Sequence, residues 1–482
     1  MDDRYLALLD RDQQTSIRLL QYILDKNRDV ILLNNVFADL GISAYKLKRI
    51  IEMINHQMES LFDQDNCPTI ILFDQGIQTS GVTSQTMKAL LQRLASNSIR
   101  FKIFTRTYLY DDQDNFGDFL SRLGISRAVY YRQKTTIALT VSSLPGWDER
   151  SEAALRRSLF GVYYYFFNGA TFPFSAGITA AAKQEVERIR QLEQVRLTIT
   201  QRIQLQYLCA IQITRLRMKK WVEATDVEVQ STVPLLTEYV KQQFSLDDDM
   251  ATLEINAINE FLVIIDALTI TGATLSPELQ ENVTRVTQEQ LNIISNAVSA
   301  TLPAKMMADL TKSLRLINLK CQYPFYSLAT FASPTEISFF QETYPRVHAT
   351  VERLIMACQK QMVGQIDEAM LTQIYYSLMF TLLNVVPIAY FAVPINVTVD
   401  FSQGDIYSEY IKRNVLSLAP GEIQVDSVVT AKTDLYLSDI YFPESVVPQV
   451  TWENPPLPVD WEHLADVIIE LKQRPVKDEA DK

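Results

Sequence analysis

The tetrapeptide Leu-Gly-Ile-Ser occurs twice, at 40–43 and at 123–126, inside the strings "DLGISAYKLKR" and "RLGISRAVYYR". Leu40 and Leu123 stand 83 residues apart. The order of residue types limits the backbone each copy can form. Glycine tolerates the left-handed conformation that closes one helix, and a serine two residues on caps the open N–H groups that start the next. The flanking leucine and isoleucine are expected to plug the angle. Each copy therefore predicts two helices joined by a tight corner, and each corner is followed by a run of cations.

The surroundings of the first copy extend the pattern. "QQTSIRLLQYILDKN" reads as an amphipathic helix with Ile17, Leu20, Ile23 and Leu24 on one side, and a second short helix ends at Leu40. After the corner, "AYKLKRIIEMINHQM" places Leu47, Ile51, Ile54 and Met58 at helical spacing, so these should be buried. Tyr45, Lys46, Lys48 and Arg49 are left facing outward or to the flank. A strand pair around "PTIILFDQGIQTS", turning at Asp74-Gln75-Gly76, follows. Helix, helix, turn, helix, hairpin is the layout of a winged helix-turn-helix, whose exposed second helix can enter a major groove.

The second copy follows a helix near "SQTMKALLQRLASNS", an apolar stretch "FKIFTRTYLY", and "NFGDFLSR". Shifting the first copy by 83 puts Tyr130 and Ile137 on the packing face of "RAVYYRQKTTIAL" and leaves Arg127, Tyr131 and Arg132 exposed. Lys134 then falls where Ile51 sat and must lead its ammonium to the edge. The position three before the leucine holds Phe37 in one copy and Leu120 in the other, and such bulk should widen the crossing. Ser43 and Ser126 are the expected caps. With the cations and tyrosines they form the candidate nucleic-acid face.

Net charge is −12, which sits poorly with a nucleic-acid partner until it is counted by region. Residues 1–150 carry 18 Lys and Arg against 18 Asp and Glu, so the acid excess lies wholly beyond them. A neutral head can bind phosphates if its cations share a face. The 482 residues exceed one core, and a composition with 47% hydrophobic residues and only 13 Gly suits a helix-rich globular chain. Cys67, Cys209, Cys321 and Cys358 are scattered without a Cys-x-x-Cys pair, which argues against a disulfide framework or a zinc site. "MDDRYLALLDRDQQ" lacks a secretory pattern, and a cytoplasmic location is expected. The apolar run "YYSLMFTLLNVVPIAYFAVPINVTV" is broken by Asn384, Pro387 and Pro394. It is read as a buried helix ending before Pro387 and a core strand from about Ile395, with no membrane partner.

Beyond the head, 176–392 reads as almost pure helix in two blocks of about a hundred residues, each enough for one bundle. The tail changes period. Strands "PINVTVDF", "EIQVDSVV", "TDLYLSDI" and "VPQVTW" alternate with helices near "DIYSEYIKRNVLSL" and "WEHLADVIIELKQ", which implies a small, mainly parallel sheet.

In this order, "VFADLGISAYKLKRII", "FLSRLGISRAVYYR", "LPGWDERSEAALRRSLFGVYYYF" and "INVTVDFSQGDIYSEYIKRNVLS" resemble the Mga family of bacterial transcriptional regulators, of the Mga and AtxA type, over nearly the whole chain. The resemblance implies a mainly α, multidomain chain: a winged helix-turn-helix at 1–80, a second helix-turn-helix at 81–175, helical phosphotransferase-regulation (PRD-like) domains at 176–285 and 286–392, and an EIIB-like α/β domain at 393–482. It implies a homodimer or larger oligomer acting on double-stranded promoter DNA in a Gram-positive bacterium, with phosphotransferase-system proteins as further candidate partners. No cofactor is expected.

Regulation domains of that kind receive phosphate on histidine, and this chain has three histidines. His56 lies on the first recognition helix and His463 on the last helix, so His348 alone falls in a helical block as a candidate phosphate acceptor; an ordinary helix histidine is the favoured reading there. The EIIB-like tail has "DFSQGD" where active domains carry a nucleophilic cysteine, with Ser402 in the loop. Phosphocarrier activity is not expected, and the tail is read as a dimerisation or partner surface. With no Ser/His/Asp grouping, phosphate loop or metal cluster in the sequence, an enzyme is the weakest reading. An RNA-binding antiterminator ranks well below the DNA-binding reading, because such proteins start with a small β-rich module whereas this head is helical with capped turns; a non-catalytic phosphotransferase-system interaction protein is the other alternative.

Overall fold

The computed structural model describes residues 3–26, 30–63, 66–111, 115–144, 146–168, 171–192, 194–223, 227–229, 234–268, 273–321, 337–360, 368–391, 394–419, 422–453 and 455–473. The chain is mainly helical, with twenty α-helices among the described residues. It divides into two compact units, and the boundary, at Gln280/Glu281, falls inside a helix.

The first unit opens with α1 (Asp3–Leu6) and α2 (Arg11–Lys26), then β1 (Val30–Leu32), α3 (Leu33–Leu40), α4 (Ala44–Glu59), β2 (Thr69–Phe73) and β3 (Gly76–Ser80). α2 buries Ile17, Leu19, Leu20 and Ile23, and α4 buries Leu47, Ile50, Ile51, Ile54 and Met58. Each such side chain is worth about 1.5–3 kcal/mol of burial. Leu24, expected on the buried side, is half-buried, and Leu19 takes its place. The hairpin turns at Asp74 and Gln75 as expected, but β1 pairs with β3 as well, making a three-stranded antiparallel sheet in the order β1-β3-β2. Asn55 fastens α4 to this sheet through both its amide atoms, donating to Ile70 O at 2.8 Å and accepting from Ile70 N at 3.0 Å.

Next come α5 (Ser84–Asn97), α6 (Ile99–Phe104), a π-helical turn at Thr105–Leu109, α7 (Phe116–Leu123), α8 (Arg127–Val141) and α9 (Glu152–Phe167). The stretch "FKIFTRTYLY" is therefore helical. α9 is buried along most of its length, and its aromatic face closes on Phe101, whose ring lies 5.1 Å from Phe166 and 5.5 Å from Phe167. α10 (Ala176–Leu192), α11 (Ile199–Arg217), β4 (Val227–Val229), α12 (Pro234–Phe244), α13 (Asp248–Ile264), β5 (Ala273–Leu275) and the start of α14 (Pro277–Ala297) complete the unit. Among the described residues the middle is almost wholly helical, as expected, apart from β4 and β5, which pair antiparallel. Three residues are too few to show a two-residue period in sequence.

A buried ion network runs through this unit. Arg156 donates to Glu152 at 2.9 Å and to Glu254 at 2.6 and 3.1 Å, and Arg215 donates to Glu152 at 2.8 and 2.6 Å. The leftover donors and lone pairs are used too. Arg215 reaches Tyr108 O, Arg156 reaches Lys220 O, and Glu254 accepts from Gln212 and from Val222 N. Such satisfaction is what lets charges leave water, since an unpaired one would cost several kcal/mol. Burial alone would raise the Glu152 carboxyl, but the hydrogen bond from Arg215 and the charge of Arg156 outweigh it and hold the pKa below the ordinary 4.5.

In the second unit α14 continues into α15 (Ala304–Cys321), α16 (Ile337–Thr343), α17 (Pro345–Gln359) and α18 (Glu368–Val385). Leu310, Leu314, Val351, Leu354, Leu378 and Leu382 centre its helical core. Inside that core lies a buried polar group: Asn318 donates to Thr287 at 3.0 Å and to Gln290 at 2.9 Å, and Gln290 donates to Cys358 Sγ at 2.9 Å. The four cysteines are free. As expected, α18 stops before Pro387 and a strand begins at Ile395. Among the described residues no helix is long and apolar enough to cross a membrane.

The tail folds as β6 (Ile395–Asp400), α19 (Asp405–Leu418), β7 (Ile423–Asp426), β8 (Leu435–Ser438), β9 (Gln449–Thr451) and α20 (Pro458–Gln473). Its sheet runs β7-β6-β8-β9 with every pair parallel. Val397, Val399, Leu435 and Leu437 are wholly buried under Ile411 and Val415 of α19 and Leu464 of α20. This small parallel sheet agrees with the reading of the tail.

The sign of the Glu152 shift sets a prediction. Its folded pKa lies below its unfolded one, so its contribution is fully present above 4.5 and is lost as pH falls through the folded value. Replacing Glu152 by Ala should cost about 3–5 kcal/mol at neutral pH because two arginines lose their shared partner. Urea melts at pH 7 should show that loss, and the gap to the wild type should narrow below pH 4.5. An unchanged midpoint at pH 7 would remove the network from any structural role.

Candidate nucleic-acid interface

The two corners have almost the same backbone. Gly41 has φ 60 and ψ 34, and Gly124 has φ 62 and ψ 33. Ser43 has φ −78 and ψ 158, and Ser126 has φ −78 and ψ 160. Each serine hydroxyl accepts from the backbone N–H three residues on, Lys46 N and Val129 N, both at 3.3 Å. The helix ends share one bond and differ in additions. Gly41 N donates to Phe37 O at 3.0 Å, and Gly124 N donates likewise to Leu120 O; in the second corner Gly124 N also reaches Ser121 O and Ile125 N reaches Leu120 O, both at 3.2 Å. Both arrangements satisfy carbonyls that the ending helix leaves open.

Leu40, Ile42, Leu123 and Ile125, expected to plug the angle, are half-buried. One turn earlier, Val36 in the first corner and Phe119 and Leu120 in the second are buried.

On α4 the structure places Ser43, Tyr45, Lys48 and Arg49 at the surface, with Lys46 half-buried on the flank. Tyr45 is 79% exposed. Arg49 is engaged by Asp12 of α2 at 2.6 Å. Both partners are half in solvent, so the pair is weak enough for a phosphate to replace the carboxylate. On α8 Ser126, Arg127, Tyr131 and Arg132 are all exposed, Tyr131 by 59%. The two helices thus present similar equipment: one aromatic ring and cations beside a capped N-terminus, where open N–H groups and the helix dipole favour an anion.

Packing beneath α8 is unlike that beneath α4. Tyr130 is buried between Phe116 and Phe119 of α7, with ring centroids at 4.9 and 6.2 Å. Arg106, on the π-helical turn, lays its guanidinium 5.1 Å from the Phe119 ring and 5.4 Å from the Phe116 ring, and donates to the Tyr130 hydroxyl at 3.3 Å. Lys134 is half-buried with its ammonium 5.9 Å from the Tyr130 ring. Arg106 and the α7 aromatics were missed from sequence; the π-helical turn that aims Arg106 has no residue signature of its own. α8 is followed by α9, with no strand pair between them among the described residues.

The two phosphate-chemistry candidates are placed as follows. His348 on α17 is largely buried. Its Nδ1 is 2.8 Å from the Tyr375 hydroxyl and its Nε2 is 3.5 Å from Glu352. Burial, with Tyr376 and Glu352 nearby, pushes Tyr375 up to about 12, so it stays protonated as a partner for the ring. A phosphoryl group on Nε2 would meet the Glu352 carboxylate. In the tail, the loop after β6 is occupied from within. Ser402 donates its N–H to Asp439 at 2.9 Å and its hydroxyl to the other carboxylate oxygen. Burial raises Asp439, but those bonds hold it below its ordinary value. Its charge opposes a second anion there. Among the described residues no group of three His, Cys, Asp or Glu side chains is placed to hold a metal ion.

The corners make a prediction independent of any ligand. A Cβ at Gly41 or Gly124 would meet nothing within 4 Å, so the cost of Gly→Ala is the left-handed backbone alone, about 1–2 kcal/mol each. Asn, which tolerates that region, should cost less. Ser126→Ala should cost about 1 kcal/mol through the lost cap. Thermal melts of Gly124→Ala, Gly124→Asn and Ser126→Ala check this; equal stability of the Ala and Asn variants would show that the backbone at the corner does not matter.

No protein-family profile and no curated protein matches the chain, so the functional reading rests on the residues themselves.

Proposed function

We propose that the chain is a DNA-binding transcriptional regulator of the Mga type. The first corner with its sheet acts as a winged helix-turn-helix and the second as a helix-turn-helix, both engaging promoter DNA. The helical blocks serve as PRD-like domains and the tail as an EIIB-like domain without phosphocarrier chemistry, supporting oligomerisation. The observation that carries the reading is the repetition of one corner geometry at two sites 83 residues apart, each holding out a helix with an exposed tyrosine and cations. Tight bends alone occur in many helical proteins. Two with the same caps and the same outward chemistry are what a duplex-reading pair requires.

Affinity in this reading comes mainly from phosphate contacts by Lys46, Lys48, Arg49, Arg127 and Arg132, while Tyr45 and Tyr131 reach base edges or sugars. The acidic remainder of the chain limits further contact, which favours a few defined sites over coating of DNA. The Ser402–Asp439 bonds and the engaged ring of His348 support a tail and block that do not pass phosphate onward.

The experiment is a salt titration. Lys48→Ala with Arg132→Ala, both at exposed positions, should weaken binding to a promoter fragment by about tenfold or more and reduce the slope of log K against log salt by about two, with melting temperature unchanged. Fluorescence anisotropy between about 50 and 200 mM salt reads both quantities. Equal affinity and slope in the variant would exclude these helices as the DNA contact.

A further inference from the structure

A short segment near the start of the first unit is bonded toward both α4 and α8. On one side Asp12, in the first turn of α2, holds Arg49 of α4 at 2.6 Å. On the other, Arg100 of α6 is held from the same segment. Its Nη1 donates to Ala7 O at 3.3 Å and to Leu9 O at 3.4 Å, and its backbone N–H donates to Asp10 Oδ1 at 3.4 Å. Asp10 Oδ2 also accepts from Ile99 N at 3.0 Å, so this carboxylate helps to cap α6. The same guanidinium then crosses to α8, where Nε donates to Gln133 Oε1 at 2.8 Å. Residues 7–12 are thereby linked to α4 through one arginine and to α8 through another. The segment itself is firmly seated: Leu8 and Leu9 are wholly buried, and Tyr5 of α1 stacks on Tyr165 of α9 with ring centroids 4.7 Å apart.

We propose that this segment, acting through Arg100, locks α8 relative to α4, so that the chain takes a bipartite duplex whose two contacted tracts stand at one spacing and one helical phase. Apolar packing holds the two helix-turn-helix units together, but it is non-directional and does not by itself set their relative angle. Hydrogen bonds are directional, and a planar guanidinium bonded to two carbonyls and a side-chain amide sets an orientation. The Asp12–Arg49 pair is half in solvent and adds little energy, so the setting of α8 depends on the half-buried Arg100. Arg100 is a positioning residue, acting through Gln133 on a helix whose exposed cations meet the phosphates. Two helices locked together accept only tracts whose separation matches their own. Half a turn of extra duplex, about 5 base pairs, carries the second tract to the opposite face. The duplex rests on the proposed function; the lock itself does not.

Nitroxide labels at Glu52→Cys of α4 and Thr135→Cys of α8, both exposed positions, report the lock as a distance distribution by pulsed electron resonance on the full chain. Cys67→Ser removes the half-buried native thiol, and the other three cysteines are buried. The distribution should be a single narrow peak in this parent, broaden with Arg100→Ala and with Gln133→Ala, and stay narrow with Gln133→Glu, which keeps an acceptor for Arg100. Gln133→Ala leaves the bonds to Ala7 and Leu9 in place and covers the case in which Arg100→Ala unfolds. A broad distribution in the parent, or the same width in every variant, overturns the lock. The second arm uses a duplex enriched by the wild type from a random pool. Inserting about 5 base pairs between its two protected tracts should weaken binding by about tenfold or more in the wild type and Gln133→Glu, and by about threefold or less in Gln133→Ala. A single protected tract, or equal losses in all three proteins, overturns the fixed spacing. Enrichment of no duplex overturns the proposed function and the bipartite target with it, while the labels still decide the lock.

Discussion

A single left-handed residue governs what each corner can do. At φ near +60° the chain reverses within three residues, and any side chain other than hydrogen raises the energy of that reversal. Because the serine cap follows at once, the next helix starts with its first turn satisfied and its N-terminus open to solvent. The outward position of Tyr45, Lys48, Tyr131 and Arg132 follows from this bend and from the aliphatic or aromatic face behind each helix. Cations on an ordinary amphipathic helix would merely be solvated. Cations beside a capped terminus held clear of the core can meet a phosphate backbone.

The rest of the first unit bears on how firmly that bend is held. The first corner is braced from two sides, by the aliphatic face shared with α2 and by the Asn55 bonds to the sheet. The second is braced by rings and by Arg106, whose turn is in turn tied by Tyr108 O to Arg215 and so to the Glu152–Arg156–Glu254 network. A path of hydrogen bonds thus joins α8 to helices as far along the chain as α13. Charged networks of this kind have discrete arrangements, and under the proposed function this one would couple the body of the unit to α8.

Most of the head was legible because its signals are local. The Leu-Gly-Ile-Ser string, the 3.6-residue spacing of Leu47, Ile51, Ile54 and Met58, and the turn at Asp74-Gln75-Gly76 each act over a few residues, and the structure follows them. The tail was legible for the same reason, its strands and helices alternating with clear changes of period. What could not be read is non-local. Arg156 and Glu254 lie 98 residues apart and each looks like a surface charge until paired. The strand at Val30–Leu32 is too short to show alternation, and "FKIFTRTYLY", buried on several sides, has no polar face to mark its period. Of the candidate site, positions and exposure were readable, but the hold of Asp12 on Arg49 and the aromatic seat under Tyr130 were not.

The tail and His348 bear on the phosphate chemistry that the proposed function leaves out. The Asp439 carboxylate, just after β8, accepts from Ser402 in the loop after β6, and His348 has a tyrosine on one nitrogen and a glutamate near the other. Both features weigh against the relay of a phosphoryl group. The most direct measurement of the central claim is a competition for the intact chain between a pool of duplex genomic fragments and a pool of RNA hairpins at fixed salt. The account predicts that duplex DNA is retained and that a defined subset is enriched. Retention of the hairpins, or of neither pool, would contradict it.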